Sequence, residues 1–115
     1  MKRGTIVLTP FPFSNLRGRK VRPAVILSPS DRRGDDVILA FISSVLSDGR
    51  LQETDVPLRR SDSYFLSTGL KVDSVFKMDK LVTVDSQILL GELGTVPSGL
   101  MRMLDEKLKI ALGLS

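Results

Sequence analysis

The stretch Gly4–Ser28, GTIVLTPFPFSNLRGRKVRPAVILS, decides how the rest of the chain is read. Two β-prone runs, Thr5–Leu8 and Ala24–Leu27, flank a segment that carries Arg17, Arg19, Lys20 and Arg22. Alternation and β-branched residues in both runs predict strands. No carboxylate interrupts the segment, so its positive charge is uncompensated locally. A cationic hairpin loop at the start of a small barrel is a natural place to hold a polyanion.

Outward from this hairpin, strands are predicted at Thr5–Thr9, Val21–Ser28, Val37–Ser43, Thr54–Leu58, Ser74–Lys77 and Leu81–Thr83. Turn chemistry separates them: Ser14-Asn15 with Gly18, Pro29-Ser30-Asp31 with Gly34, and Ser47-Asp48-Gly49. Short strands joined by turns indicate a small β-barrel or sandwich rather than a βαβ sheet. From Leu100 the period changes. Leu100, Met101, Leu104, Leu108, Ala111 and Leu112 mark one face of a helix, with Ser98 as expected N-cap and Gly113 as its stop. A shorter helical turn is expected from Asp85 or Ser86 through Gln87–Leu90. The architecture is therefore mainly β with a terminal helix, one domain over residues 1–115.

At 115 residues the chain suits a single core, and its 42% hydrophobic and 26% charged content is ordinary for a globular protein. It has no cysteine and no histidine, which excludes disulfides, zinc fingers, thiol nucleophiles and imidazole acid–base chemistry. Catalysis would have to use Arg, Lys, Asp, Glu, Ser, Thr or Tyr64. Asp35-Asp36 lacks the spaced acidic pattern of a calcium loop, so neither metal nor cofactor is expected. A net charge of +4 and a pI near 9.8 favour nucleic acid or an acidic protein segment as partner. A basic protein without a polyanion partner would show the same balance. No apolar run approaches the roughly 20 residues of a membrane span. Met1-Lys2-Arg3-Gly4 leads into neither a long apolar segment nor a small-residue cleavage site, so a cytoplasmic protein is expected, with no membrane contact.

Four segments, in order, carry a resemblance: GTIVLTPFPF at the start, RPAVILS at Arg22–Ser28, AFISS at Ala40–Ser44, and SVFKMDKLVTVD at Ser74–Asp85. The last is followed by Gln87 and the GELG of Gly91–Gly94. Together they resemble the MazF/PemK family of toxin endoribonucleases and cover most of the chain. The resemblance implies an SH3-like β-barrel, a homodimer, metal-independent cleavage of single-stranded RNA such as mRNA, and a cognate antitoxin encoded nearby.

Metal-free RNA cleavage needs a base to take the 2′-OH proton, a cation to stabilise charge on the phosphoryl oxygens, and an acid for the departing 5′ oxygen. The 2′ oxygen attacks the adjacent phosphorus and leaves a 2′,3′-cyclic phosphate, so no protein nucleophile is required. Arg22 is the first candidate. Its guanidinium forks onto phosphate, and Pro23 biases it towards extended backbone; the resemblance places the catalytic arginine in this Arg-Pro pair. Lys77 and Asp79 are the second, because residues two apart on a strand share a side, and the ammonium would keep the carboxylate ionised as a base. The family's Arg-x-Asp is Lys-x-Asp here. A surface ion pair worth under about 1 kcal/mol is the competing reading.

Ser43 is the third, aligned with a family threonine in a Pro-x-Thr-Ser motif that reads Phe41-Ile42-Ser43-Ser44 here. Its hydroxyl could bond a phosphate oxygen or, as strand-end serines often do, nearby backbone. Arg17, Arg19 and Lys20 are expected to gather RNA, and Phe13 to stack on an unpaired base or to enter the core. Arg32-Arg33 and Arg59-Arg60 read as solvated loops.

One departure from the family stands out. Several active members carry a glutamate in the loop before the Arg-Pro pair, where this chain has Arg17-Gly18-Arg19-Lys20-Val21. Asp79 is then the remaining base. The alternative is a catalytically weak or inactive barrel that holds RNA or an antitoxin. A structural SH3-like domain of a larger assembly explains the charge but not the Arg-Pro and Lys-x-Asp placements.

Overall fold

Both faces of the central strands are apolar, and this determines the architecture. A computed structural model describes residues 1–10, 20–44 and 50–115. Within them lie strands β1 (Thr5–Pro10), β2 (Val21–Ile26), β3 (Asp36–Ser43), β4 (Asp55–Leu58), β5 (Ser74–Asp85) and β6 (Gly91–Thr95). They form one antiparallel sheet in the order β4-β5-β3-β2-β1-β6. The sheet curls into a half-barrel, as expected for the SH3-like class, with β4 and β6 as its edges.

Along β1, β2 and β3 successive side chains enter two different clusters. Ile6, Val25, Ala40 and Ile42 point to one face, where Phe76, Met78, Val56 and Leu58 join them. Val7, Ala24, Ile26, Leu39 and Phe41 point to the other. Helix α2 (Ser98–Leu112) covers the first face with Leu100 and Leu104, both fully buried. Burying a side chain of this size contributes about 1.5–3 kcal/mol.

The terminal helix follows its sequence signals with one correction. Gly113 takes φ 70° as expected of a C-terminal stop, its N–H reaching Ile110 O and that of Leu114 reaching Lys109 O. The N-cap, however, is Pro97, not Ser98. The carbonyl of Pro97 already accepts the first helical bond, from Met101 N at 2.9 Å, so Ser98 is inside the helix. The turn expected near Asp85 is a 3₁₀ segment at Ser86–Ile88, where the Asp85 side chain accepts from Gln87 N at 2.9 Å.

The two predicted strands at Ser74–Lys77 and Leu81–Thr83 are one strand, β5. Its pairing with β3 shifts between Ile42↔Phe76 and Ala40↔Leu81, so residues 77–80 oppose Phe41 alone. Such a bulge bends a strand and re-aims its side chains. Two elements carry no clear sequence signal: the four-residue helix α1 (Phe65–Thr68) and β6. Gly91 and Gly94 erase the strand signal of β6. Gly94 is needed because a Cβ there would overlap the backbone of Ser67 and Thr68, and Gly69, at φ 73°, lies equally close to the Leu93 carbonyl.

Candidate active site at the end of β2 and β3

β2 stays paired with β1 out to Val21, but its pairing with β3 ends at Ala24↔Phe41. Pro23 sits one residue beyond that point and has no N–H to donate, which suits the end of a ladder. Past it, Arg22 and Ser43 run to the same end of the sheet. Alternation puts Arg22 with Ala24 and Ile26, and Ser43 with Phe41, so both belong to the face that α2 does not cover. Buried Thr9 faces Arg22 directly across β1.

At the sheet end Arg22 also borders a cavity of about 340 Å³. Its walls are largely aliphatic (Leu8, Val21, Pro23, Ile42, Leu70, Val72 and Leu93), with Lys71, Ser44 and Ser74 as the polar additions. Among the described residues no carboxylate lines it. A cationic, apolar-walled recess of this size suits an anion with a flat apolar portion attached.

Lys77 stands on the same face as Arg22 and Ser43, because its neighbours Phe76 and Met78 point the other way. Its partner is Asp55 and not Asp79, which corrects the pairing expected from the sequence. Asp55 and Lys77 are directly opposite across β4 and β5, and Lys77 Nζ donates to Asp55 Oδ2 at 3.2 Å. Asp79 lies in the register-shifted stretch and is exposed. Facing residues on paired strands approach within about 5.5 Å, closer than residues two apart on a bulged one. Lys20 is exposed just ahead of β2. Phe13, Arg17 and Arg19 lie outside the described residues.

Among the described residues no group of three or more His, Cys, Asp or Glu could hold a metal ion. No described helix is long and apolar enough to cross a membrane.

The family model described as "PemK-like, MazF-like toxin of type II toxin-antitoxin system" matches residues 2–112. The chain belongs to this toxin family. Solved structures agree on the fold. An endoribonuclease in complex with its cognate antitoxin from a mycobacterial species superposes on the toxin with a TM-score of 0.76 at 22% identity, covering 100% of this chain and 97% of that one. The Mycobacterium tuberculosis toxin MazF-mt6 gives 0.74 at 22% identity, covering 96% and 98%. A MazE–MazF structure from Deinococcus radiodurans gives 0.74 at 21% identity, covering 100% and 97%. No curated protein matches the sequence.

Three residues of the toxin's site were not found by sequence reasoning. Ser44, and not the neighbouring Ser43, lines the cavity. Strand period alone could have separated the two, once Ile42 was assigned to the core face. Lys71 follows Gly69-Leu70 in an unpatterned stretch, and nothing local marks it. Asp55 opens a predicted strand, but its burial depends on β5 lying beside it.

Proposed function

We propose that this toxin is a metal-independent endoribonuclease that cuts single-stranded RNA in the cytoplasm, works as a homodimer and is neutralised by a cognate antitoxin. The observation that carries the reading is the place of Arg22, a guanidinium at the rim of an apolar-walled cavity that has Lys71 and no described carboxylate on its walls. The endoribonuclease and MazE–MazF names of its structural relatives support the same substrate and partner.

In this mechanism Arg22 binds the scissile phosphate and stabilises the charge that builds on its oxygens. Asp79, exposed on the bulge, takes the 2′-OH proton. The 2′ oxygen attacks phosphorus, the bond to the 5′ oxygen breaks, and that oxygen takes a proton from water as it leaves, giving a cyclic phosphate and a 5′-hydroxyl end. Lys77 adds positive charge on the same face, and Ser43 offers a hydroxyl to the phosphate. The aliphatic cavity takes the base next to the cut.

The test is cleavage of a single-stranded RNA oligonucleotide in excess EDTA by the unaltered chain, Arg22→Ala and Asp79→Ala. The unaltered chain should leave a cyclic-phosphate end and both variants should fail. Salt-sensitive RNA binding with no cleavage would instead establish a binding module, which the loop without a glutamate would explain.

A further inference from the structure

The Asp55 side chain is fully removed from solvent although β4 is an edge strand. Its Oδ2 accepts from Gln52 N at 2.9 Å and from Lys77 Nζ at 3.2 Å. Its Oδ1 has no hydrogen-bond partner among the described residues. Stability does not account for this arrangement. Desolvating both charges offsets most of their attraction, a packed apolar pair of similar volume does as well, and the unpaired oxygen adds a further cost. What the carboxylate does achieve is to fix the position of one ammonium.

That ammonium remains partly open, with 28% of the Lys77 side chain exposed. An ammonium has three donors, so the bond to Asp55 leaves others for a ligand. Only β3 separates β5 from β2, so the two long side chains, Arg22 from one flank and Lys77 from the other, stand on either side of its end. A phosphodiester lying along the end of β3 would therefore meet Arg22 from one flank and Lys77 from the other.

We propose that Asp55 is a positioning residue that holds Lys77 as a second phosphate-binding cation facing Arg22, and so keeps Lys77 from pairing with Asp79. The Asp79 carboxylate then acts as base without a lysine neighbour competing for it. This inference rests on the ribonuclease reading above.

The experiment is a double-mutant cycle on the full chain with Asp55→Asn, Lys77→Met and the two combined. Two quantities are measured: kcat/KM on a single-stranded RNA, and Kd for the same oligonucleotide with 2′-deoxyribose at the cut, which binds but cannot react. Each single substitution should weaken both by about tenfold, a typical coupling for residues in contact, and the double should lose no more than Lys77→Met alone. Losses that multiply to about a hundredfold in the double, or an Asp55→Asn indistinguishable from the unaltered chain, would overturn the proposal.

Thermal melts establish that each variant is folded. If Asp55→Asn is not, Asp55→Leu combined with Lys77→Met removes both charges, and its Kd must equal that of Lys77→Met; a weaker value overturns the proposal equally. An unaltered chain that binds the deoxy oligonucleotide but cuts no RNA would refute the ribonuclease reading, while the binding cycle would still decide the role of Asp55.

Discussion

The two faces of the curled sheet are built from alternate residues of the same strands, yet they serve different ends. On the face under α2, Ile6, Val25, Ile42, Phe76, Leu100 and Leu104 meet in the main core, whose margin at Ile42, Leu70 and Leu93 walls the cavity beside Arg22. The opposite face begins the same way, with Val7, Ala24, Ile26 and Leu39, and then changes character towards the end of β2 and β3. There Arg22, Ser43, Lys77 and Asp55 follow one another across neighbouring strands. A period of two lets one strand contribute to a core and to a site without compromise. The division should be visible in mutants: substitutions in the core under α2 should lower stability, and those of Arg22 and Lys77 should lower cleavage.

The largest effect expected is on the second face. Arg22→Ala should lower RNA cleavage by about 10²–10³, the usual loss for a group aimed at transition-state charge, while thermal unfolding moves little. Retained cleavage would break the comparison. On the first face, Leu104→Ala should cost about 2–5 kcal/mol in denaturant unfolding, through lost burial and the cavity left behind. Its cleavage rate per folded molecule should be unchanged. Gly69→Ala joins the two regions, because its turn leads from α1 into the cavity wall. It should cost more than about 1 kcal/mol, from the left-handed φ and the overlap with Leu93, and it should also weaken RNA binding. A variant that loses stability but keeps its affinity would show the wall to be independent of the site. The smallest effect belongs to Lys71→Ala, which should flatten the dependence of log K on log salt by about 0.7, the single-strand value for one phosphate contact.

Much of this division is legible in the amino-acid order alone. Strand period marks β1, β2, β3 and β4 to within a residue or two, because their apolar runs are bounded by turn residues. The helix is legible because Leu100, Leu104 and Leu108 recur at its period. Arg22 stands out through its proline. What stays hidden depends on tertiary contacts. β6 reads as a glycine-rich loop, since Gly94 answers to the backbone of Ser67 and not to strand propensity. Lys77 and Asp79 look like a pair because two residues along a straight strand share a side; the bulge opposite Phe41 takes Asp79 out of that geometry and leaves Lys77 to the neighbouring strand. No local pattern could show that Asp55 would be its partner.

The position of β4 has a consequence in time. An edge strand has one neighbour and opens at a lower free energy than the strands between two. Each opening of β4 exposes Asp55 to water and lets the Lys77 ammonium swing free. Amide exchange at Val56 and Leu58 would then act as a clock on the lifetime of the assembled cation pair, and bound RNA, by bridging Lys77 to Arg22, should slow it.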